Sequence, residues 1–504
     1  MEASLQPRTD QPPVRNRFAY NASIIAYLLS YGTTIVPVFF VNIYYDTITN
    51  ELNNNWDSIT RKNNLSKLNL CYNLGGLTGI IVALAVSKLN PRLILNISRF
   101  IIAVCCLCLA VPHLTTMAVS RFFSNLFATV SQITIIWTVY ELYLVNDQAK
   151  IMVAVSLSTP LFNFLLSLSA KLDTGDKWYW KQVLSFMPLG LLLGIVIDIF
   201  CTAGLNSVSY MLRRHGPETA TEELRKIFSE DHTEELVRKF ELQLKNEKKE
   251  KEKLEKRGVS QWAMDLMVYK SSMINLLIIS FLATTGFQIQ YMSNGLLIGS
   301  KVLSDTDATQ RTKTLLTAET LIEVMIYLAA IVFNLTKKRK SSLMFSLFFG
   351  CMVLFTSSLG YLAQNLRIVR FGFLFLAASF PFYSPSVHLY TNDLIPPSLV
   401  PLQSICLLSV NTAADTLFPL VFNFENSSYE SIGLKFGFLV ICGFVSLGLI
   451  YWLMIETEGM SRDQVRRRLK NRWKKKKNED IDLGEFVELK DEEILETDTE
   501  NRLQ

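Results

Sequence analysis

Long apolar stretches separated by polar connections dominate the chain between residues 24 and 451. Each stretch has about 20 residues, which at about 1.5 Å per residue lets a helix cross a hydrocarbon core of about 30 Å. The pattern predicts twelve such spans, centred near Val36, Ile81, Val104, Thr129, Phe162, Leu193, Ser280, Ile326, Leu354, Phe375, Leu408 and Phe444. A long polar stretch separates the sixth span from the seventh. The sequence therefore predicts an all-α polytopic membrane protein built from two six-helix halves.

The polar segments divide the chain into five predicted regions. These are a tail (1–18), a first six-helix bundle (19–205), a helical insert (206–265), a second six-helix bundle (266–457) and a charged tail (458–504). In the insert, Thr219 with Glu222 and Asp231 with Glu234 have the spacing of N-terminal capping boxes. Narrow apolar stripes at helical period follow, at Leu224, Ile227 and Phe228 and then at Leu236, Phe240 and Leu244.

Basic residues favour one orientation of the chain in the membrane. Twelve spans place the basic segments 213–257, 337–340 and 462–477 on the same side, and the positive-inside rule makes that side cytoplasmic. Both termini are then cytoplasmic, and residues 1–18 show no cleavable signal peptide. The net charge of +5 lies mainly in the insert and the tail. It favours contact with lipid headgroups over nucleic-acid binding, and the charged tail also offers a surface for protein partners.

The residues that metal sites and enzymes need are not arranged for such chemistry. The eight cysteines form no CxxC pair, three of them lie at 105, 106 and 108 within one span, and the four histidines are scattered. No Walker motif is present. We therefore expect no metal, no cofactor and no enzymatic activity. Glycosylation sequons at Asn64, in a loop predicted over residues 46–67, and at Asn426 fall on the predicted outer side and indicate a glycoprotein.

Several polar side chains interrupt the predicted spans. Gln288 and Gln290 lie close together in the seventh span, and each amide must bond internally or face a wet cavity. Glu319 and Glu323 lie one turn apart in the eighth span, where they serve either a pathway or proton-linked role or a structural hydrogen bond. Asp198 near the end of the sixth span is either a paired helix-end charge or a pathway residue. The eleventh span adds Asn411 and Asp415.

Motifs at span ends carry a resemblance to a known family. The tenth span ends in Pro385-Ser-Val-His388-Leu-Tyr390-Thr-Asn392-Asp393-Leu-Ile-Pro396, and the twelfth ends in Ile455-Glu-Thr-Glu-Gly-Met-Ser461. Both runs resemble those of the sugar-porter branch of the major facilitator superfamily, and the insert is similar to its intracellular helical domain. The resemblance extends from Tyr31 to Ser461. It implies the major facilitator fold with a cytoplasmic helical insert.

The resemblance also implies a solute site. Thr159 stands where the family usually has a sugar-binding glutamine, and Asn163 lies one turn further on the same face. Gln288 stands at the place of an asparagine, with Gln290 nearby, and Asn411 adds an amide from the eleventh span. His388 replaces the tryptophan that usually covers the sugar, and both a ligand role and a structural role remain open for it.

The chain keeps only some of the gating and coupling residues that are typical of the sugar-porter family. Asp393 matches the acid at the end of the tenth span, and Arg121 resembles the residue that opens the fourth span. Glu141 either fills the role of the acid that ends the fourth span from one turn earlier or does not fill it. Lys150 is the candidate cation for Glu141. Gly32 stands where proton-coupled members carry a protonatable aspartate, so the first span supplies no coupling group.

The sequence therefore favours a multi-pass transporter, predicted in the plasma membrane, that moves a hexose or related polyol by alternating access, facilitated more than proton-coupled. The alternative is a divergent member that acts as a nutrient sensor or as a structural subunit of a membrane assembly, since the charges of the family's cytoplasmic lock are repeatedly substituted. Counterflow of labelled hexose separates the two.

Overall fold

A computed structural model describes part of the chain. The described residues are 14–34, 44, 58–86, 89–111, 113–143, 145–172, 179–202, 206–255, 339–365 and 428–457, with isolated positions at 317–329, 368, 369, 372, 390, 464, 465 and 468. Met1–Glu458 forms one compact unit and Gly459–Gln504 a second. Six described helices are long and apolar enough to cross a membrane, and the multi-pass character of the protein follows from them.

The described residues of the first part of the chain include six long helices. They are α1 (Arg17–Thr34), α2 (Ser58–Val86), α3 (Pro91–Leu109), α4 (Leu114–Leu142), α5 (Val145–Leu172) and α6 (Tyr179–Cys201). Helix α4 packs against α2 and α3, while α1 packs against α5 and α6. Gly75 and Gly79 of α2 face α4, where a Cβ would overlap the carbonyl oxygens of Phe122 and Leu126. Glycines at this spacing let two membrane helices approach closely.

The outer surface of this bundle is apolar along α3 and α6. Large side chains are more than a third exposed at Leu93, Ile97, Phe100, Val104 and Leu107 of α3 and at Phe186, Leu189, Leu193, Val196, Ile199 and Phe200 of α6. Such a surface is stable only against hydrocarbon, since water would leave a large apolar patch exposed. Helices α3 and α6 therefore face lipid.

Two short helices and one long helix follow α6 and pack at one end of the bundle. They are α7 (Val208–Arg214), α8 (Gly216–Arg225) and α9 (Glu230–Glu255), here called the insert. The backbone N–H groups of Arg15 and Asn16 donate to Ile227 O at 2.8 and 2.9 Å, and Phe228 is buried against Tyr20 of α1. The N-terminal segment and the insert thus lie at the same end of the bundle, which we call the insert end.

The helix starts differ from the sequence predictions at four places. Helix α2 begins at Ser58, inside the predicted 46–67 loop, and α4 begins at Leu114, so Arg121 lies two turns inside it. Helix α8 begins at Gly216 and not near Thr219, because Pro217 in the first turn is itself a start signal. Helix α9 begins at Glu230, directly after Ser229, which precedes the predicted cap by two residues. Leu224, Ile227 and Phe228 are buried as the apolar stripe predicts, but only Leu224 lies on a helix, since α8 ends at Arg225 and the other two residues lie in the connection to α9.

The described part of the second half contains α10 (Arg339–Leu362) and α11 (Tyr429–Leu453), which pack against each other. Ser358 Oγ donates to Gly433 O at 2.7 Å across this contact. Lys340 Nζ donates to the carbonyls of Tyr451 and Met454, both at 2.9 Å, and so caps the end of α11. Ile455 N donates to the buried Tyr390 hydroxyl at 3.3 Å.

Candidate solute site and polar networks of the first six helices

Polar side chains of α1 and α4 meet inside the bundle. Gln132 Nε2 of α4 donates to Thr34 Oγ1 of α1 at 3.2 Å, and the Gln132 side chain is half-buried. Two residues before Thr34, Gly32 lies against the Phe162 ring and Ser158 O of α5. This contact places residues 158–163 of α5 at about the same depth as the Thr34–Gln132 hydrogen bond.

Helix α5 carries unpaired polar groups at this depth. Asn163 is buried, and its Oδ1 accepts no hydrogen bond from the described residues. Ser156 Oγ is also buried without a hydrogen bond to the described residues. In addition, Pro160 has no N–H that could donate to the Ser156 carbonyl one helical turn earlier. Thr159 lies half-buried between them. Unpaired groups in a membrane bundle are costly unless water or a solute reaches them, so this stretch of α5 is a candidate for the lining of a solute pathway.

Gly32 has a packing role in this arrangement. A Cβ at this position would overlap the Phe162 ring, so glycine is required for the close contact of α1 with α5. The absence of a coupling acid does not depend on the register of this one residue. The chain has no Asp or Glu anywhere from residue 17 to residue 45.

Asp198 lies near the end of α6 and is a paired charge. Of the two roles that the sequence leaves open, paired helix-end charge and pathway residue, its contacts match the first. Its Oδ2 accepts from Arg92 Nε at 3.1 Å and Asn96 Nδ2 at 2.7 Å, and it lies 3.8 Å from Arg99 Nη1. Arg99 is completely buried. It donates to Asn96 Oδ1 at 2.7 Å, to Ser30 Oγ, and to the carbonyls of Ala26 and Gly194 at 3.2 and 3.4 Å. This network joins α1, α3 and α6 within the bundle.

Glu141 ends α4 and is 1% exposed, but its described hydrogen bonds come from uncharged donors. Ser207 Oγ and the N–H of Ser209, at 3.1 Å, donate to Oε2, and the Trp137 indole donates to Oε1. Lys150 contacts Asp147 Oδ1 at 3.4 Å, so the sequence hypothesis that pairs it with Glu141 does not match its described partner. Glu141 thus fastens the start of α7 to the end of α4.

Arg121 is completely buried inside α4, with its guanidinium carbon 5.6 Å from the centre of the Tyr72 ring of α2. At this distance a cation is attracted to the face of the ring. Asn125, one turn further along α4, donates from Nδ2 to Tyr72 O at 2.7 Å and fixes the same contact.

The remaining sequence candidates lie outside the described residues. They are Gln288, Gln290, Glu319, Glu323, His388, Asp393 and Asn411. Of the two sequons used above, Asn426 also lies outside them, whereas Asn64 lies within α2 and is 6% exposed. A glycan on Asn64 does not fit that position, so this sequon does not support glycosylation.

Arg99 and Gln132 belong to these networks and were not among the sequence candidates. Arg99 interrupts the apolar run of the third span, and a lone cation in a span is a signal that could have marked it. Gln132 is an amide near the middle of the fourth span and carries the same kind of signal. Their partners on other helices, Ser30 for Arg99 and Thr34 for Gln132, are more than sixty positions away along the chain, so the sequence could mark the residues but not these contacts.

These helices, with a lipid-facing surface and a polar interior, define a polytopic α-helical membrane protein, and its fold is that of major facilitator superfamily transporters. The proton:xylose symporter XylE bound to 6-bromo-6-deoxy-D-glucose matches with a TM-score of 0.72 and 14% identity, over 90% of this chain and 99% of that chain. XylE from E. coli in a partially occluded inward open conformation gives 0.66 and 14%, over 88% and 100%. The human organic anion transporter MFSD10 (TETRAN) gives 0.54 and 11%, over 87% and 100%.

No family model matches the chain, and no characterised protein matches it by sequence. At identities this low the structural likeness shows the fold. Evidence for the solute has to come from the residues of this chain.

Proposed function

We propose that the protein is a membrane carrier that moves a hexose or a related polyol by alternating access, without coupling to protons. The observation that carries the proposal is the set of uncharged hydrogen-bonding groups at one depth of α1, α4 and α5. Thr34, Gln132, Thr159 and Asn163 offer donors and acceptors without charge, which suits a solute rich in hydroxyl groups. The fold shared with XylE, a xylose symporter, supports the same class of solute.

The distribution of acids in the first six helices supports transport without protons. Their acidic residues are Glu141, Asp147 and Asp198. All three lie at the insert end and have hydrogen-bond or ion-pair partners. Glu141 accepts from Trp137, Ser207 and Ser209. Asp147 contacts Tyr20 and Lys150, and Asp198 contacts Arg92 and Asn96. None lies at the depth of the polar set. In the second half, the competing hypothesis assigns coupling to Glu323, with Glu319 one turn away.

Counterflow of labelled hexose in proteoliposomes tests the proposal. We expect counterflow in the intact protein and a several-fold loss of apparent affinity in Gln132→Ala, because one substrate hydrogen bond contributes about 1 kcal/mol. Ser185→Ala is the matched control, since Ser185 is an exposed polar residue of α6 that bonds only its own helix among the described residues. His388→Ala and Gln288→Ala should also weaken transport if the second half completes the site.

Proton coupling is tested in the same vesicles. We expect uptake that a protonophore does not change and no proton influx when substrate is added. Substrate-driven proton influx that disappears in Glu323→Gln would assign the coupling carboxylate to the eighth span and contradict this part of the proposal.

The sensor or structural-subunit alternative makes a different prediction. If the folded and correctly inserted protein showed no counterflow, and if Gln132→Ala, Gln288→Ala and His388→Ala all bound hexose like the unmodified protein, the carrier proposal would be wrong. The sensor or structural-subunit role would then be favoured, because the charged residues that lock the cytoplasmic helix ends in the family are substituted in this chain.

A further inference from the structure

Arg92 lies where the lipid-facing helices α3 and α6 meet at the insert end. It is the second residue of α3, and its side chain is 23% exposed. Its Nε donates to Asp198 Oδ2 at 3.1 Å, and its Nη2 donates to the carbonyls of Asp198 and Ile199, near the end of α6. These contacts occupy Nε and Nη2, and among the described residues no hydrogen bond is made by Nη1.

The charges around Arg92 do not balance. Arg92 and Arg99 both approach the single carboxylate of Asp198, which leaves an excess of one positive charge. Helix α3 has no acidic residue, and residues 202–217, which follow α6, have none either. That stretch contributes the exposed Arg213 and Arg214 and binds one further carboxylate, that of Glu141, so positive charge still exceeds negative charge at this end of the bundle. An excess charge at the edge of the hydrocarbon region is costly without a counter-charge.

The surroundings of Arg92 are apolar and open to lipid. Leu89, Leu93, Ile199 and Phe200 lie within a few residues of it or of its partners, and they are 55, 56, 52 and 77% exposed. A small soluble anion would gain nothing from these side chains. A ligand that combines an anionic head with acyl chains would neutralise the excess charge and cover the apolar side chains together.

We infer that Arg92 binds the phosphate group of an anionic phospholipid in the leaflet at the insert end, with the acyl chains along the seam between α3 and α6. The lipid supplies the negative charge that the Arg92–Asp198–Arg99 cluster lacks. The inference stands independently of which solute the protein carries.

Lipid retention by the purified full-length protein tests this inference. The protein is exchanged into detergent containing equal amounts of phosphatidylglycerol and phosphatidylcholine, and bound lipid is counted by native mass spectrometry. We expect selective retention of phosphatidylglycerol, reduced about fivefold in Arg92→Gln, because one basic residue near a membrane surface adds about that factor in affinity for an anionic lipid. Arg238→Gln is the matched control, since Arg238 is an exposed arginine of α9, away from the α3–α6 seam.

A second variant separates lipid binding from simple loss of structure. Asp198→Asn removes the carboxylate and raises the excess to two positive charges, so it should increase selectivity for phosphatidylglycerol, whereas Arg92→Gln lowers it. Unfolding would lower retention in both. Equal selectivity in the unmodified protein and Arg92→Gln, or an equal loss in Arg238→Gln, would overturn the inference. Thermal stabilisation by glycerol phosphate equal to that by phosphatidylglycerol would do so too, because the ligand would then be a soluble anion.

Discussion

Glu141 shows at the scale of one residue how a buried carboxylate is stabilised by uncharged groups. Its two oxygens accept from the Trp137 indole, the Ser207 hydroxyl and the Ser209 backbone N–H. Replacing one oxygen by an amide NH2 in Glu141→Gln turns an acceptor toward a donor. We expect a loss of about 1–3 kcal/mol of stability, seen as a lower melting temperature in detergent.

The matched control for this change is Glu222→Gln. Glu222 is exposed on α8, where the same substitution should leave the melting temperature unchanged. An unchanged melting temperature in Glu141→Gln would mean that these hydrogen bonds do not hold α7 to α4.

Individual residues were predictable from the sequence only as far as their chemistry is local. Asp198 in an apolar span could be marked as a residue that needs a partner, and the structure pairs it with Arg92 and Asn96. Neither partner could be chosen from the sequence, since both lie about a hundred positions away and many cations were available. Proximity along the chain predicts Lys150 as the cation for Glu141, but Asp147 lies closer still, three residues before Lys150, and is its described partner.

At the scale of helices, the contact of α2 with α4 depends on glycine. A Cβ on Gly75 would overlap Phe122 O, and a backbone atom cannot move aside as a flexible side chain can. We expect Gly75→Ala to separate the two helices and to lower both the melting temperature and the yield of monodisperse protein.

Gly448→Ala is the comparison for this substitution. A Cβ on Gly448 of α11 would meet nothing within 4 Å, so alanine there should be neutral or slightly stabilising. Equal behaviour of the two variants would argue against a close α2–α4 contact.

Protonation of His232 in the insert destabilises the folded state. Burial lowers the pKa of His232 below its usual value, despite the opposing effect of Glu235, and the ring lies 5.5 Å from that of Phe228. The unfolded insert then binds a proton more readily than the folded one. Stability is complete above a pH of about 6.5 and falls as the pH drops below the unfolded pKa.

We therefore expect the melting temperature of the unmodified protein to fall between pH 7.5 and pH 5 by more than that of His232→Gln. Scanning calorimetry or tryptophan fluorescence of both proteins at the two pH values measures the difference. Parallel pH profiles would exclude His232 as a contributor.

Helix boundaries were the part of each element that the sequence predicted least well. The apolar pattern identified α3 to α6 as membrane helices, because about twenty consecutive apolar residues have few alternatives. Helices α2 and α4 begin earlier than predicted because their first turns are polar or mixed in composition and gain their stability from neighbouring helices. Helical turns that are stabilised by packing against other helices have no apolar sequence pattern from which their start could be predicted.

At the scale of the whole molecule, the sequence predicted the helical class and the fold, since hydrophobic period and motif spacing are properties of the entire chain. It could not predict which face of each helix meets which neighbour. The depth shared by Thr34, Gln132 and residues 158–163 follows from the contacts of α1 with both α4 and α5, which the sequence does not specify. The second-half candidates, including Gln288 and Asp393, stay predictions.

Topology gives a prediction at the same scale. The backbone pairing of Arg15 and Asn16 with Ile227 requires the N-terminal segment and the insert to share one side of the membrane, and the basic residues predict that this side is cytoplasmic. A tag at the N-terminus should not react with an impermeant reagent in intact cells. The same reagent should label it once the membrane is permeabilised, and labelling in intact cells would reverse the orientation.

The same pairing also sets an order of events during synthesis. Residues 15 and 16 leave the ribosome before α1, whereas Ile227 appears only after α1 to α6 have been made. At about 5–20 residues per second, the N-terminal segment waits about 10–40 s for its partner. Its docking therefore marks the moment when the first bundle is complete, and a nascent chain stalled before residue 227 would leave this segment open to proteases that the finished protein resists.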